Sequence, residues 1–221
     1  MLSQEELKRM AAEKAVEFVP ENEYIGIGTG TTVDLFVEAL ARSGKKIKGA
    51  VATSKKTSDL MAQCGIPEVQ LSEVSKLAVY VDGADEINHT LQMIKGGGAA
   101  LLAEKIVASA ADRFVCVADE SKYVSRLGKF PLPIEVIPLS RSLVSRRLVA
   151  LGGDPELRLN CTTASGHQIV DVRNLDLSKP LTMEEELNKI PGVVENGLFA
   201  RHPADVLVLG TQKGVEVFTV G

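Results

Sequence analysis

Tryptophan is absent from the 221-residue sequence, aromatic residues make up only 4 %, and the three cysteines show no CxxC spacing. Each scarcity excludes something. So few aromatic side chains provide no platform for stacking successive bases. A net charge of −4, from 25 basic and 29 acidic residues without a long basic block, removes the electrostatic reason to bind nucleic acid. An odd number of cysteines argues against a disulfide framework and a zinc knuckle, and Cys64, Cys116 and Cys161 are expected to be buried small hydrophobes. No segment has the apolar length that spans a bilayer, so no membrane partner is expected. Met1 to Lys8 contain no basic stretch followed by an apolar run, and a cytoplasmic location is the expectation for such a start.

What is present is ordinary for a globular chain: 45 % hydrophobic and 24 % charged residues, at a length that supports one core or a main domain with a smaller lobe. Ser3-Gln4-Glu5-Glu6 has the form of a capping box, and Leu7, Ala11, Ala15 and Phe18 follow at helical spacing. The apolar run Tyr24 to Ile27 leads into Gly28-Thr29-Gly30-Thr31-Thr32, after which Val33, Phe36, Val37, Leu40 and Ala41 mark a helix. The rhythm repeats with a strand over Ile47 to Ala52, the cluster Thr53-Ser54-Lys55-Lys56-Thr57, and a helix carrying Leu60, Met61 and Cys64. Leu77 to Val81 then precedes Asp82-Gly83-Ala84-Asp85, and Lys95-Gly96-Gly97-Gly98 precedes a helix from about Ala99 to Ala110. A strand over Arg113 to Ala118 ends in Asp119-Glu120-Ser121-Lys122.

Alternating strands and helices with continuous apolar strands predict an α/β fold with a doubly wound, mostly parallel sheet. The polar clusters follow the carboxyl ends of strands, the rim on which such sheets bind ligands. From Pro131 the order becomes β-α-β-β-α-β, with strands over 134–137, 156–159, 168–173 and 193–199 and helices over 140–150 and 182–190. This predicts a smaller ferredoxin-like lobe. The expected division is a main domain over 1–130 and 203–221 and an inserted lobe over 131–202, with Asp205 to Leu209 and Val215 to Val220 returning to the first sheet.

Gly28 to Thr32 offers backbone N–H groups, hydroxyls and a helix N-terminus to a phosphate, with a merely tight turn as the alternative. It is neither a Walker A loop nor a dinucleotide fingerprint, since Gly-Lys-Ser/Thr is missing and Thr31 stands where the latter wants glycine. Asp82, Asp85 and Glu86 crowd three carboxylates after one strand. They suit a hard metal ion, substrate hydroxyl protons, or the capping of a solvated loop. Three glycines after Lys95 surrender about 1 kcal/mol each in backbone entropy, which suggests close approach of a substrate or else a hinge. Glu104 sits among Leu101, Leu102, Ile106 and Val107. Burial would raise its pKa, whereas a helix N-terminus and Lys95 would lower it. The histidines His89, His167 and His202 show no ligand spacing, and Arg141, Arg146 and Arg147 read as a solvated helix face.

Taken in order, Gly28-Thr29-Gly30-Thr31-Thr32, Asp82-Gly83-Ala84-Asp85-Glu86-Ile87, Lys95-Gly96-Gly97-Gly98-Ala99-Ala100 and Glu104-Lys105-Ile106 closely resemble ribose-5-phosphate isomerase of type A. Leu127 to Pro133, Leu151-Gly152-Gly153 and Ile190 to Val194 extend the resemblance over nearly the whole chain. It implies interconversion of D-ribose 5-phosphate and D-ribulose 5-phosphate without a metal or other cofactor, by a homodimer or homotetramer whose partner is a small sugar phosphate. It further implies Glu104 as the base, with Asp82, Asp85 and Lys95 as the other catalytic groups. Thr29, Gly30, Thr31, Thr32 and Lys8 fall at the substrate's phosphate end, Gly83 and Ala84 at its reacting end, Gly96, Gly97 and Gly98 close over it, and Lys122 matches a further substrate-binding lysine. The lysines Lys55 and Lys56 stand in a less family-like stretch.

Overall fold

The computed structural model describes residues 1–219, so the expected end of the last strand at Val220 lies outside the described residues. In chain order the elements are α1 (Gln4–Ala15), β1 (Tyr24–Ile27), α2 (Thr31–Ser43), β2 (Gly49–Ala52), α3 (Lys55–Gln63) and β3 (Val79–Asp82). Next come the short strands β4 (Glu86–Ile87) and β5 (Met93–Ile94), then α4 (Leu101–Ser109) and β6 (Phe114–Asp119). They are followed by β7 (Leu132–Val136), α5 (Arg141–Ala150), β8 (Asp154–Leu157), β9 (Gln168–Arg173), α6 (Pro180–Asn188), β10 (Val193–Asn196), β11 (Leu198–Phe199), β12 (Val206–Thr211) and β13 (Gly214–Thr219).

The described residues form two compact units, the first comprising 1–84, 103–123 and the stretch from 204 to 219, the second 85–102 and 124–203. The first is built on a six-stranded sheet in the order β13-β12-β6-β3-β1-β2. All neighbours are parallel except the edge pair β12 and β13. Its central strands are apolar and β-branched because both faces are covered. Ile25, Ile27, Val79, Val81, Val115, Val117 and Val208 pack with Val33, Phe36, Val37 and Leu40 of α2 and with Ala11, Ala12 and Ala15 of α1. The predicted capping box starts α1: Glu6 N–H donates to Ser3 Oγ at 3.2 Å while Ser3 N–H donates to the Glu6 carboxylate at 2.6 Å. The chain leaves β1 towards β2 on one side and returns to β3 on the other, which makes the β1/β3 edge the topological switch point.

The second unit carries a four-stranded antiparallel sheet in the order β10-β7-β9-β8, the arrangement that a β-α-β-β-α-β sequence of elements produces. Ile134, Val136, Val170 and Val172 of this sheet pack against Val144, Leu148 and Leu187 from α5 and α6. A small three-stranded sheet, β11-β5-β4, was not legible in the sequence. It forms because the strand expected over 193–199 changes partner at Gly197. This residue donates its N–H to Pro133 O and accepts from Lys95 N–H, both at 2.8 Å, so β11 pairs with β5 instead of β7. Pairing of β4, β5 and β11 is also why residues 85–102 group with the second unit.

One expectation needs correcting. Only Cys116, inside β6, is buried, whereas Cys64 at the C-terminal cap of α3 and Cys161 in the loop between β8 and β9 are half-exposed. Among the described residues no helix is long and apolar enough to cross a membrane.

Glu86 explains why a third carboxylate follows Asp82 and Asp85. Buried at 4 % exposure, it accepts from Gly128 N–H at 2.7 Å and from Phe130 N–H at 2.6 Å, pinning the Leu127 to Phe130 loop. Glu86→Ala leaves both donors unsatisfied and should lower unfolding free energy by roughly 2–4 kcal/mol. Urea denaturation with an unchanged midpoint would show that the loop does not depend on this carboxylate.

Candidate active site

In the first unit the predicted residues gather at the switch point. Strand β1 ends in Gly28, whose N–H donates to Val81 O at 2.9 Å, and the chain turns through Thr29 and Gly30 into the first turn of α2. Thr31 and Thr32 therefore lie at a helix N-terminus, where unpaired N–H groups and the helix dipole favour an anion. From α1, Lys8 Nζ reaches Thr31 Oγ1 at 3.0 Å, which places an ammonium on this loop. Lys122 lies half-buried in the short turn that follows β6, on the same rim of the sheet.

Asp82 closes β3 and is fully buried. Its Oδ1 accepts from Thr29 N–H at 3.1 Å and Gly83 N–H at 2.7 Å, and its Oδ2 accepts from the Tyr80 hydroxyl at 2.5 Å. Gly28 is required beside it, because a Cβ there would fall 1.9 Å from Asp82 Cγ. Tyr80 was legible only as an apolar strand residue. Its signal was position: residues two apart on a strand share a face, so a tyrosine two before Asp82 meets the carboxylate. Behind the loop, Thr53 Oγ1 pairs with Thr29 Oγ1 at 2.8 Å and Thr57 Oγ1 donates to Gly28 O at 2.8 Å. The cluster after β2 thus serves the loop through its threonines. Its lysines bond to surface carboxylates instead, Lys55 to Asp59 and Lys56 to Asp34.

Glu104 occupies the first turn of α4 and is only 4 % exposed, so it departs from the usual solvated helical glutamate. Its charge and that of Asp82 both act on the Tyr80 phenol. Tyr80 is fully buried against Phe114, with ring centroids 4.9 Å apart. Burial, more than the two carboxylates, holds its pKa well above the ordinary phenol value.

In the second unit, Asp85 N–H donates to Ile94 O at 2.9 Å, and the Asp85 carboxylate accepts from Gly97 N–H at 2.8 Å. The bare Gly97 permits this approach, since a Cβ would lie 2.6 Å from Asp85 Oδ1. Lys95 is buried at 3 % exposure, with Nζ 5.5 Å from the centre of the Phe199 ring. Gly96 and Gly97 present their carbonyls to Arg158, a residue the sequence did not single out. Among the described residues no three His, Cys, Asp or Glu side chains are grouped to hold a metal ion. The carboxylates of Asp82, Asp85 and Glu86 bind backbone N–H groups instead. The chain passes between the units four times, at Ala84–Asp85, Leu102–Ala103, Tyr123–Val124 and Pro203–Ala204, and the predicted site residues divide as Asp82 and Glu104 in the first and Asp85 and Lys95 in the second.

The raised Tyr80 pKa sets an alkaline signature. A phenol that keeps its proton in the folded state above its unfolded value of about 10 contributes stability that is complete below that pH. The contribution is lost as pH rises through the folded value. In an ultraviolet titration, which the lack of tryptophan leaves clean, one of the three tyrosines should ionise only as the chain unfolds. Tyr80→Phe should abolish that delayed phase, and its persistence in the variant would assign it elsewhere.

The profile of ribose 5-phosphate isomerase A (phosphoriboisomerase A) matches residues 49–214. A ribose-5-phosphate isomerase A from Neisseria meningitidis serogroup C is 70 % identical over 217 residues, covering 98 % of this chain and 97 % of that protein. The crystal structure of the isomerase A from Neisseria gonorrhoeae superposes with a TM-score of 0.98 at 68 % identity, covering 99 % of this chain and 98 % of that one. A D-ribose-5-phosphate isomerase solved in complex with phospho-erythronic acid superposes with a TM-score of 0.96 at 38 % identity, over 99 % of this chain and 100 % of that one. The motifs, the strand order and these likenesses agree, and the chain belongs to the ribose-5-phosphate isomerase A family of isomerases.

Proposed function

We propose that this enzyme interconverts D-ribose 5-phosphate and D-ribulose 5-phosphate through an enediolate, as a step of the non-oxidative pentose phosphate pathway. The observation that carries the reading is Glu104, a carboxylate almost fully withdrawn from solvent in the first turn of α4. Moving the carbonyl from C1 to C2 requires removal of the C2 proton and its return at C1, and one positioned carboxylate performs both transfers.

Thr29 to Thr32 and Lys8 hold the phosphate, and that remote contact supplies energy for orienting the reacting carbons. Lys122 adds a further contact to the substrate. Asp82 and Asp85 exchange hydroxyl protons during ring opening, with Gly83 and Ala84 beside the reacting end. Lys95 and the N–H groups of Gly96 and Gly98 stabilise the charge that develops on the two enediolate oxygens, while the Gly97 N–H holds Asp85. The phospho-erythronic acid bound by a relative supports this reading: it joins a phosphate to a carboxylate whose paired oxygens imitate those of an enediolate.

With a chelator present, the purified protein should convert ribose 5-phosphate to ribulose 5-phosphate and exchange the C2 proton with deuterated solvent. Absence of conversion, or strict dependence on an added divalent ion, would overturn the reading. Glu104→Gln keeps the shape and removes the base, so turnover should fall by about 10²- to 10⁴-fold while substrate still binds. A variant that keeps its turnover and loses affinity would reduce Glu104 to a contact residue.

A further inference from the structure

Arg158 follows β8 at the edge of the four-stranded sheet, and its guanidinium is held from one side by Asp171 of β9. Nε donates to Asp171 Oδ2 at 2.8 Å and Nη2 to Oδ1 at 2.6 Å, a bidentate pair with the two side chains only 20 % and 21 % exposed. That geometry leaves Nη1, which donates to Gly96 O and Gly97 O, both at 3.1 Å. One rigid cation therefore grips two successive carbonyls of the glycine segment.

The consequence follows from peptide geometry. Among the described residues there is no cis peptide bond, so in each planar unit the C=O and N–H point in opposite directions. The unit joining Gly96 to Gly97 has its carbonyl on Arg158 and its N–H on the Asp85 carboxylate, so it links the guanidinium to Asp85 through a single peptide. In the next unit the Gly97 carbonyl is also on Arg158, which turns the Gly98 N–H away from the guanidinium. Without an anchor, a run of three glycines samples many peptide orientations.

We infer that Arg158, braced by Asp171, is a positioning residue for the isomerisation: it fixes the two glycine peptides so that one N–H holds Asp85 and the next is presented to the reacting end of the sugar phosphate. The inference rests on the isomerase reading above and deepens it. A lysine is no substitute, because one ammonium lacks the planar fork that serves a carboxylate edge and two carbonyls together.

The test compares wild type with Arg158→Ala, Arg158→Lys and Asp171→Asn in the chelated ribose 5-phosphate assay, alongside thermal midpoints. Misplaced donors should lower kcat by about 100-fold in Arg158→Ala, with KM changed much less. Arg158→Lys should recover little. Millimolar guanidinium chloride should restore part of the Arg158→Ala turnover, and sodium chloride at equal ionic strength should not. Wild-type turnover in Arg158→Ala, or a loss in KM alone, overturns the inference, as does the absence of guanidinium rescue. If Arg158→Ala does not fold, the kcat of Asp171→Asn decides: a fall at an unchanged thermal midpoint supports the positioning role, and unchanged kcat refutes it. An inactive wild type would instead refute the isomerase reading, so the two failures are distinguishable.

Discussion

The first unit turns on one buried anion. Asp82 ends the central strand β3 with both carboxylate oxygens engaged, by the N–H groups of Thr29 and Gly83 and by the Tyr80 hydroxyl. Hydrogen bonds to an ionised acceptor are about twice as strong as neutral ones, and the low dielectric of the interior sharpens them. Because two of the donors are backbone groups, the carboxylate fixes main chain on both sides of the switch point. It ties the end of β1 to the end of β3 and leaves the Thr29 to Thr32 loop no freedom to drift from the start of α2. The Thr53 and Thr57 hydroxyls complete the same restraint from behind.

The second unit solves a similar problem in reverse. Its glycine segment carries no side chains to anchor, so the restraint falls on peptide groups, with an arginine on the carbonyl side and Asp85 on the N–H side. A shaped loop usually relies on its own side chains for anchorage. Here bulk near the loop is avoided and the anchoring groups are borrowed from the residue after β8, from β9 and from the segment before β4. Carboxylates do three distinct tasks within five residues: Asp82 organises a strand end, Asp85 holds a glycine peptide, and Glu86 pins the Leu127 to Phe130 loop.

Legibility in the sequence followed periodicity and spacing. The parallel sheet was readable because its strands are continuous apolar runs punctuated by polar clusters, and the second lobe because its elements alternate in an order with few packing solutions. Glu104, Asp82, Asp85, Lys95 and the two glycine loops were visible as a set, through resemblance more than through their local chemistry. Thr53 and Thr57 were visible only as members of a polar cluster, and Tyr80, Arg158 and Asp171 escaped, because their importance lies in what they touch across the fold. Tyr80 looks like any strand aromatic until its hydroxyl is seen on Asp82. Arg158 stands 62 residues from Gly96, a separation no local pattern reports. The three-stranded sheet was equally hidden, since strands of two residues fall below the length at which alternation is a signal.

Gly197 carries a constraint of a different kind. Its N–H and carbonyl serve two neighbours at once, so the registers of β10 and β11 are locked to each other across a single residue. A one-residue insertion beside it would turn Leu198 and Phe199 to the opposite face of their sheet, since side chains alternate with a period of two. Those side chains are buried, and Phe199 forms the surface under Lys95. Length between Asn196 and Leu198 is therefore as strictly determined as residue type, while the exposed turn at Gln212 and Lys213 has room for additions. For anyone grafting or recombining segments of this enzyme, the admissible seams lie at such turns and not at the glycine that joins its two smaller sheets.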